Sequence, residues 1–302
     1  MAIFAFDFNT YLEQTTGVFG WSVEELSGGA ANFTVRVRPP CGVEDGTNSS
    51  YSGTFGSEKS VVIKQAPPYF AKLPKISFSP YRQVSRFLYT VEFYAPERHS
   101  FIQIVEKEAL ELFHSSGHSA NSLQTVLVTN PLVRIPRMLK HDNQCGILVQ
   151  SDLGPHPNLY EVLTSPHTFT TTASSLGSIL GHFLADMHNS PVLSPLNIKT
   201  FYNEDSERVI VDVISRVASY MKDAGVADWQ ILEESASNHW RNRKKVAFSQ
   251  GDLWFGTVLV DDNFGSSNLD KIEAPRSPVI GICDWEFAGP NDPAADIAQL
   301  GE

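Results

Sequence analysis

The chain has 302 residues, of which 42% are hydrophobic and 19% are charged, and its formal net charge is −11 at pH 7. These values are typical of a globular protein with about two domains or one two-lobed unit, and they exclude a disordered chain. The negative charge argues against nucleic acid as a partner, because phosphate binding needs a basic surface. It is compatible with a small cationic ligand.

The cysteines and the N-terminus indicate the compartment. Cys41, Cys145 and Cys283 are far apart in the chain and form no C-x-x-C pair, so neither a disulfide framework nor a zinc site is expected. The first residues lack the basic segment of a signal peptide, and no run of eighteen apolar residues predicts a transmembrane helix. We therefore expect a cytoplasmic protein without a membrane contact.

The first half of the chain predicts strands around one helix. Residues 33–37 alternate in hydrophobicity and predict a strand, and residues 61–63 predict a second strand that ends at Lys64. The Gly-, Ser- and Pro-rich residues 38–60 between them predict a surface insertion in a long hairpin. Residues 101–113 have apolar side chains at spacings of three and four, which predicts an amphipathic helix. Two further strands are predicted at 132–136 and 146–150.

The second half predicts helices followed by short strands. The predicted helices and strands lie at 173–188, about 207–222, 246–248, 257–260 and 279–283. The composition changes abruptly near 150–153. We therefore predict an α+β fold with two unequal lobes: an N-lobe, 1–150, with phosphate-binding strands and one helix, and a C-lobe, 151–302, with the catalytic and metal-binding loops.

Three carboxylates near strand ends predict a metal site. Asp252 follows a glycine in a loop between two predicted strands, and Asp284 and Glu286 follow the next strand. In an extended segment, residues two apart point in the same direction, so Asp284 and Glu286 could bind one ion. Their hard oxygen ligands suit Mg²⁺, which also binds phosphate oxygens.

A lysine and a glycine turn predict the complementary phosphate site. Lys64 ends its strand, and the turn at 27–32 contains Gly28 and Gly29, which allow the backbone to approach a phosphate closely. Such a lysine needs a partner, and Glu106 on the following helix is the first candidate, with Glu108 as the neighbouring alternative.

The order of glycine turn, strand lysine, helix glutamate, G-D-L loop and D-x-E loop resembles the aminoglycoside phosphotransferase and choline kinase-like superfamily, which has a protein-kinase-like fold. "SVVIKQAPPYFAK" and "DWE" are most similar in style to methylthioribose kinase. The resemblance covers about 20–300 and implies a bilobal fold with a small β-rich N-lobe and a mostly helical C-lobe. Because relatives usually continue with further helices that form much of the acceptor pocket, the resemblance also implies either a C-lobe truncated at its end or an unusually open pocket.

The resemblance implies a role for each residue of the acidic loops. Asp252 would be the catalytic aspartate that orients or deprotonates the substrate hydroxyl. Asp284 and Glu286 would bind Mg²⁺, with Thr257 as a further ligand. Two positions depart from the usual H-G-D-x-x-x-x-N pattern, because Gln250 replaces the histidine and Thr257 replaces the asparagine. Gln250 can also donate a hydrogen bond, and the methylthioribose kinase branch has a hydroxyl residue at the second position.

The nucleotide-binding residues follow from the same resemblance. They are Ser27, Gly28 and Gly29 in the turn, Lys64 with Glu106 at the phosphates, and Gln150, Ser151 and Asp152 in the hinge whose backbone meets adenine. The implied function is transfer of the γ-phosphoryl group of ATP to a hydroxyl of a small metabolite or an aminoglycoside-like acceptor. The alternative is a weak or inactive nucleotide-binding module, a pseudokinase. A homodimer is left open.

Overall fold

The computed structural model describes residues 6–26, 32–40, 55, 58–67, 69–71, 73–77, 102–114, 123–166, 170–191, 201, 204–262, 264 and 278–300. Ser27, Gly28 and Gly29 of the predicted phosphate turn lie outside these residues, as does most of the predicted insertion at 38–60.

The strands of the described residues are β1 (Ser22–Glu25), β2 (Phe33–Arg38), β3 (Val61–Gln65), β4 (Tyr69–Phe70), β5 (Leu73–Ser77), β6 (Val133–Arg134), β7 (Met138–Asp142), β8 (Ile147–Ser151), β9 (Ala247–Ser249), β10 (Val258–Val260), β11 (Ile280–Ile282) and β12 (Gly289–Asn291). The helices are α1 (Phe8–Thr16), α2 (Ile102–His114), α3 (Gln124–Thr129), α4 (Leu159–Thr164), α5 (Thr170–His188), α6 (Glu204–Asp223), α7 (Trp229–Asn242) and α8 (Ala294–Gln299). Two 3₁₀ turns lie at Phe255–Thr257 and Trp285–Phe287.

The main sheet is antiparallel and has the order β1-β2-β3-β8-β7. Successive side chains of a strand point to opposite faces of a sheet. Val35, Ile63 and Val149 are paired across three strands and are buried in one core. Thr34 and Lys64 are paired one residue further along and therefore lie on the other face. This alternation places a lysine on the face opposite the core.

The core under this sheet also includes α1. Asp7 caps that helix, because its side chain accepts a hydrogen bond from the Thr10 amide at 3.0 Å. Tyr11 and Leu12 of α1 are buried against the sheet. The sequence interpretation predicted the β2–β3 hairpin, β8 and α2, but it did not predict α1 or β7.

A second hydrophobic core joins the helices to the short strands of the C-terminal half. It includes Phe183 of α5, Phe248 of β9 and Ile282 of β11. The face of α2 that carries Ala109 and Phe113 belongs to this core as well. The first 150 residues therefore contribute to both cores, and the division into lobes at 150 stays a prediction.

The architecture confirms the predicted α+β class. A sheet of order β10-β11-β6 and the β9–β12 pair carry the loops after β9 and β11. Within the described part of the chain, no helix is both long and apolar enough to span a membrane.

Candidate active site

Lys64 lies at the centre of the candidate site. Its side chain is 3% exposed, and its Nζ donates to Oε1 of Glu106 at 2.7 Å and to Oδ1 of Asp284. Glu106 is completely buried on α2. Glu108, the alternative partner in the sequence interpretation, instead contacts Lys107 at 3.0 Å. The structure thus brings the strand lysine, the helix glutamate and the first acid of the D-x-E loop together.

The charge of Lys64 is stabilised by its neighbours. Burial alone would lower its pKa, but the carboxylates of Asp284, Glu106 and Glu286 outweigh that effect and raise the pKa well above its ordinary value. Lys64 is therefore a fixed cation in a buried place, which is what phosphate binding requires.

Aromatic packing holds α2 against the loop that carries Asp284. Trp285 is completely buried, and its ring lies 4.7 Å from that of Phe113 in an edge-to-face arrangement. The indole nitrogen of Trp285 donates to the carbonyl oxygen of Ile282 at 3.0 Å. Glu106 and Asp284 thus reach Lys64 from two elements that are packed directly on each other.

Asp284 has a left-handed backbone conformation, with φ 59° and ψ 60°. Among the described residues other than glycine, it alone has a positive φ. The 3₁₀ turn Trp285–Phe287 follows directly. The expectation of an extended segment was therefore wrong, because Asp284 and Glu286 are brought to the site by a tight turn. Such rare conformations are concentrated at functional sites.

The position before Asp252 requires a glycine, Gly251, for two structural reasons. It has φ 85°, and a Cβ at this position would lie 2.1 Å from the carbonyl oxygen of Phe287. Only glycine allows the loop after β9 to approach the turn at 285–287 this closely. This close approach brings Asp252 near enough to Asp284 for the two charges to interact.

Asp252 is a perturbed acid. Burial, followed by the nearby charge of Asp284, raises its pKa from the ordinary value of 3.8 to about 6, although a hydrogen bond from Gln299 opposes the rise. Nε2 of Gln299 lies 3.3 Å from Oδ1 of Asp252. A carboxylate with a pKa just below neutral pH can accept a proton from a hydroxyl.

Gln250 connects the two acidic loops. Its Oε1 accepts from the Asp252 amide at 2.7 Å, and its Nε2 donates to the carbonyl oxygens of Cys283, at 3.0 Å, and Asp284. The side chain is completely buried. Gln250 thus supplies the hydrogen bond donor that the sequence interpretation expected of it, and it supplies an acceptor as well.

Asp296 anchors the loop after β9 from the other side, and the sequence interpretation missed it. This completely buried carboxylate accepts from Ser249 Oγ at 2.6 Å and from the amides of Gln250 and Gly251 at 3.1 and 3.0 Å. Nε2 of His188 lies 2.9 Å from Oδ2 of Asp296. The signal was an acid in the apolar "DPAADIAQL" segment, where only a satisfied carboxylate can be buried.

Asn32 is a second residue that the sequence interpretation missed. Its Nδ2 donates to Oε2 of Glu286 at 2.5 Å, and both residues are buried. Burial and the charges of Asp284, Glu106 and Asp252 raise the pKa of Glu286 to about 8, against the opposing effect of Lys64. No local pattern could reveal this contact, because the two residues are 254 positions apart.

A cleft of about 410 Å³ opens between the sheet and these loops, and Lys64, Gln150, Asp152 and Asp284 are among its lining residues. Gln150 is paired with Val62 and Met138 inside the sheet, and its buried Oε1 has no hydrogen bond partner among the described residues. Contacts from Arg36, Gly154 and Ser60 outweigh burial and lower the pKa of Asp152. The hinge role of Gln150 and Asp152 stays a prediction.

Thr257 lies beside the site with its hydroxyl directed to backbone carbonyls. Oγ1 donates to the carbonyl oxygen of Trp254 at 2.9 Å and lies 3.4 Å from that of Asp252. Its role as a metal ligand stays a prediction. Within the described ranges, no group of three or more His, Cys, Asp or Glu side chains forms a metal cage.

The sheet, the helix and the acidic loops thus meet at one cluster of charges. A lysine of the antiparallel sheet is paired with a helix glutamate and with the first acid of the loop after β11. A strand lysine paired with a helix glutamate, together with a loop aspartate, is also found where protein kinases bind phosphates.

Comparisons with known proteins give structural neighbours only. No protein-family model matches the sequence, and no curated protein matches it. The structure is similar to that of the gentamicin–APH(2")-IIa complex over 98% of this chain and 74% of that chain, with 12% identity and a TM-score of 0.47. It is also similar to spectinomycin phosphotransferase, APH(9)-Ia, in complex with ADP and spectinomycin, over 97% and 72%, with 14% identity and a TM-score of 0.45. These scores are too low to decide what this chain binds.

Proposed function

We propose that this chain is a small-molecule kinase that transfers the γ-phosphoryl group of ATP to a hydroxyl of a metabolite or an aminoglycoside-like acceptor. The observation that carries the proposal is the buried Lys64, which bonds to Glu106 on one side and Asp284 on the other. Desolvating the charges of Lys64 and Glu106 is costly, so the arrangement needs a reason beyond stability. A triphosphate bound at Lys64 supplies that reason.

Each charged group then has a task. Lys64 binds phosphate oxygens, and Asp252 accepts a hydrogen bond from the attacking hydroxyl. With a pKa of about 6, most Asp252 is deprotonated at neutral pH and remains basic enough to take up the proton. In phosphoryl transfer the protein mainly positions the reactants and neutralises charge.

The acidic turn fits Mg²⁺. Mg²⁺ is commonly bound by one or two carboxylates, several waters and the phosphates of the substrate, rather than by a cage of protein ligands. Asp284 and Glu286 supply two carboxyl groups on one turn, and the described residues provide no larger group. Glu286, with a pKa of about 8, would release its proton when the cation binds. When bound, the cation would neutralise phosphate charge. Asp284 would then bind the cation in place of Lys64.

The second candidate is a nucleotide-binding module without turnover. Two observations favour it: the Thr257 hydroxyl already donates to a carbonyl of its own loop, and Asp284 is engaged by Lys64. Such a module would bind nucleotide without needing the divalent cation.

Two measurements separate the candidates. The kinase predicts that ATP raises the unfolding temperature more with Mg²⁺ than with EDTA, because ligand binding stabilises the folded state. It also predicts ADP formation with at least one member of a panel of hydroxyl compounds that includes aminoglycosides, and loss of this turnover in Asp252→Asn. A metal-independent shift without turnover supports the module, and no shift at all contradicts both.

A further inference from the structure

The hydrogen bond between Asn32 and Glu286 joins two distant parts of the site. Asn32 directly precedes β2, and Glu286 lies on the turn that follows Asp284. Their exposed fractions are only 7% and 8%. The Nδ2–Oε2 distance is 2.5 Å, which is a short hydrogen bond. The sheet thus holds one of the two carboxylates assigned to the cation.

The oxygen of the same amide, Oδ1 of Asn32, is buried and has no hydrogen bond partner among the described residues. A buried acceptor without a partner is costly and calls for a specific explanation. Because Nδ2 is bonded to a carboxylate, the oxygen is the atom that remains available for a ligand. Amide oxygens are suitable partners for Mg²⁺ or for its waters.

The chain has no such amide at the position where the resemblance would place one. Thr257 stands there, and its hydroxyl donates to the carbonyl oxygen of Trp254 at 2.9 Å. Asn32 brings an amide to Glu286 from the start of β2. The amide chemistry is therefore present at the site, but it comes from a different element.

We propose that Asn32 is a positioning residue of the Mg²⁺–nucleotide site. Its amide hydrogens fix the Glu286 carboxylate, and its free oxygen accepts a hydrogen bond from the hydrated cation. Binding of the metal-loaded nucleotide is thereby coupled to the start of β2. This assignment rests on the proposed function, because it needs a cation at Asp284 and Glu286.

Calorimetric titration of the full chain with ADP, in Mg²⁺ and in EDTA, tests the assignment. Asn32→Ala should weaken binding of ADP with Mg²⁺ by about tenfold, the effect of losing one charge-assisted hydrogen bond, while binding in EDTA should change by less than about twofold. In a Glu286→Ala background, Asn32→Ala should cause a clearly smaller further change, because the bond to Glu286 is gone and only the contact of the amide oxygen with the hydrated cation is left to lose.

Asn130→Ala is the matched control. Asn130 is 8% exposed and donates from Nδ2 to Asp186 at 2.8 Å, so this variant loses a similar bond. It should not change the Mg²⁺ dependence. If Asn32→Ala does not unfold cooperatively, Asn32→Ser, which keeps a small polar group, replaces it with the same expectations.

The outcomes are distinguishable. Equal weakening with and without Mg²⁺ would show that Asn32 only supports the backbone, and additive effects of the Asn32 and Glu286 variants would show that it does not act through Glu286. Either result overturns the assignment and leaves the proposed function standing. If the wild-type chain binds ADP equally well with and without Mg²⁺, both the assignment and the proposed kinase fail.

Discussion

Replacing Asp252 by Asn should make the protein more stable while it strongly lowers turnover. The folded chain keeps this acid in a place where burial and Asp284 disfavour its charge, and its pKa rises from 3.8 to about 6. Between about pH 4 and pH 6, the folded chain therefore binds more protons here than the unfolded chain. The free energy of unfolding falls as the pH rises through this window, and the full loss is reached above about pH 6.

The magnitude follows from the size of the pKa change. A tenfold change in proton affinity is worth about 1.4 kcal/mol, so the full rise corresponds to about 3 kcal/mol. Asp252 is only partly buried, and solvent screening reduces this value to about 1–2 kcal/mol. Asparagine keeps the acceptor oxygen for Gln299 and removes the charge. Turnover should fall by about a hundredfold or more, because the proton acceptor is lost.

Urea unfolding at about pH 8 and about pH 4 is the suitable assay, because the gain should be present at the higher pH and nearly absent at the lower one. Asp228→Asn is the matched control. Asp228 is exposed at the start of α7 and makes no capping bond with its side chain, and asparagine is an equally good N-cap. No gain at pH 8, or an equal gain at both pH values, would refute the reasoning.

Lys64→Met leaves the buried Glu106 without its cation, so the free energy of unfolding in urea should fall by about 3–5 kcal/mol, and Glu106→Gln in the same chain should restore part of it. Gln250→Ala removes the bonds between the two acidic loops and should lower that free energy by about 1–3 kcal/mol, whereas Gln250→His keeps a donor and an acceptor and should retain more stability and turnover. Gly251→Ala would place a Cβ 2.1 Å from a carbonyl oxygen of the neighbouring turn, so steady-state turnover should fall by at least about tenfold. The value of kcat/KM should rise with pH and level off above about pH 6 as Asp252 loses its proton.

Contradictory results are equally specific. Wild-type stability of Lys64→Met would mean that Glu106 does not depend on this cation. Equal effects of alanine and histidine at position 250 would mean that the bridge between the loops is unimportant. Full turnover of Gly251→Ala would show that the two loops need not be in contact, and a kcat/KM that does not change below about pH 6 would remove Asp252 as the proton acceptor.

The local pattern of the sequence predicted most of the elements that carry the site. Alternating residues predicted the β2–β3 hairpin, and the structure has antiparallel pairing of these strands. The three- and four-residue spacing predicted α2. The same spacing could have selected Glu106 over Glu108, because Glu106 lies three, four and seven residues before Ala109, Leu110 and Phe113, which are all buried.

The backbone conformation predicted for Asp284 and Glu286 was wrong. An extended segment was expected from the spacing of Asp284 and Glu286, but the chain has a left-handed residue and a 3₁₀ turn. A D-x-E spacing is compatible with both conformations. Contacts such as the packing of Trp285 on Phe113 determine which one forms, and they depend on residues far away in the chain.

By itself, the sequence determined the β2–β3 hairpin, helix α2 and the chemical identity of the charged groups, because these depend on neighbours within a few positions. Tertiary structure alone decided that Lys64 pairs with Glu106 and Asp284, that Asp296 anchors the loop after β9, and that Asn32 binds Glu286. These partners are between 42 and 254 residues apart. A buried charge or amide is stable only beside a compensating partner, and only the folded chain brings such partners together.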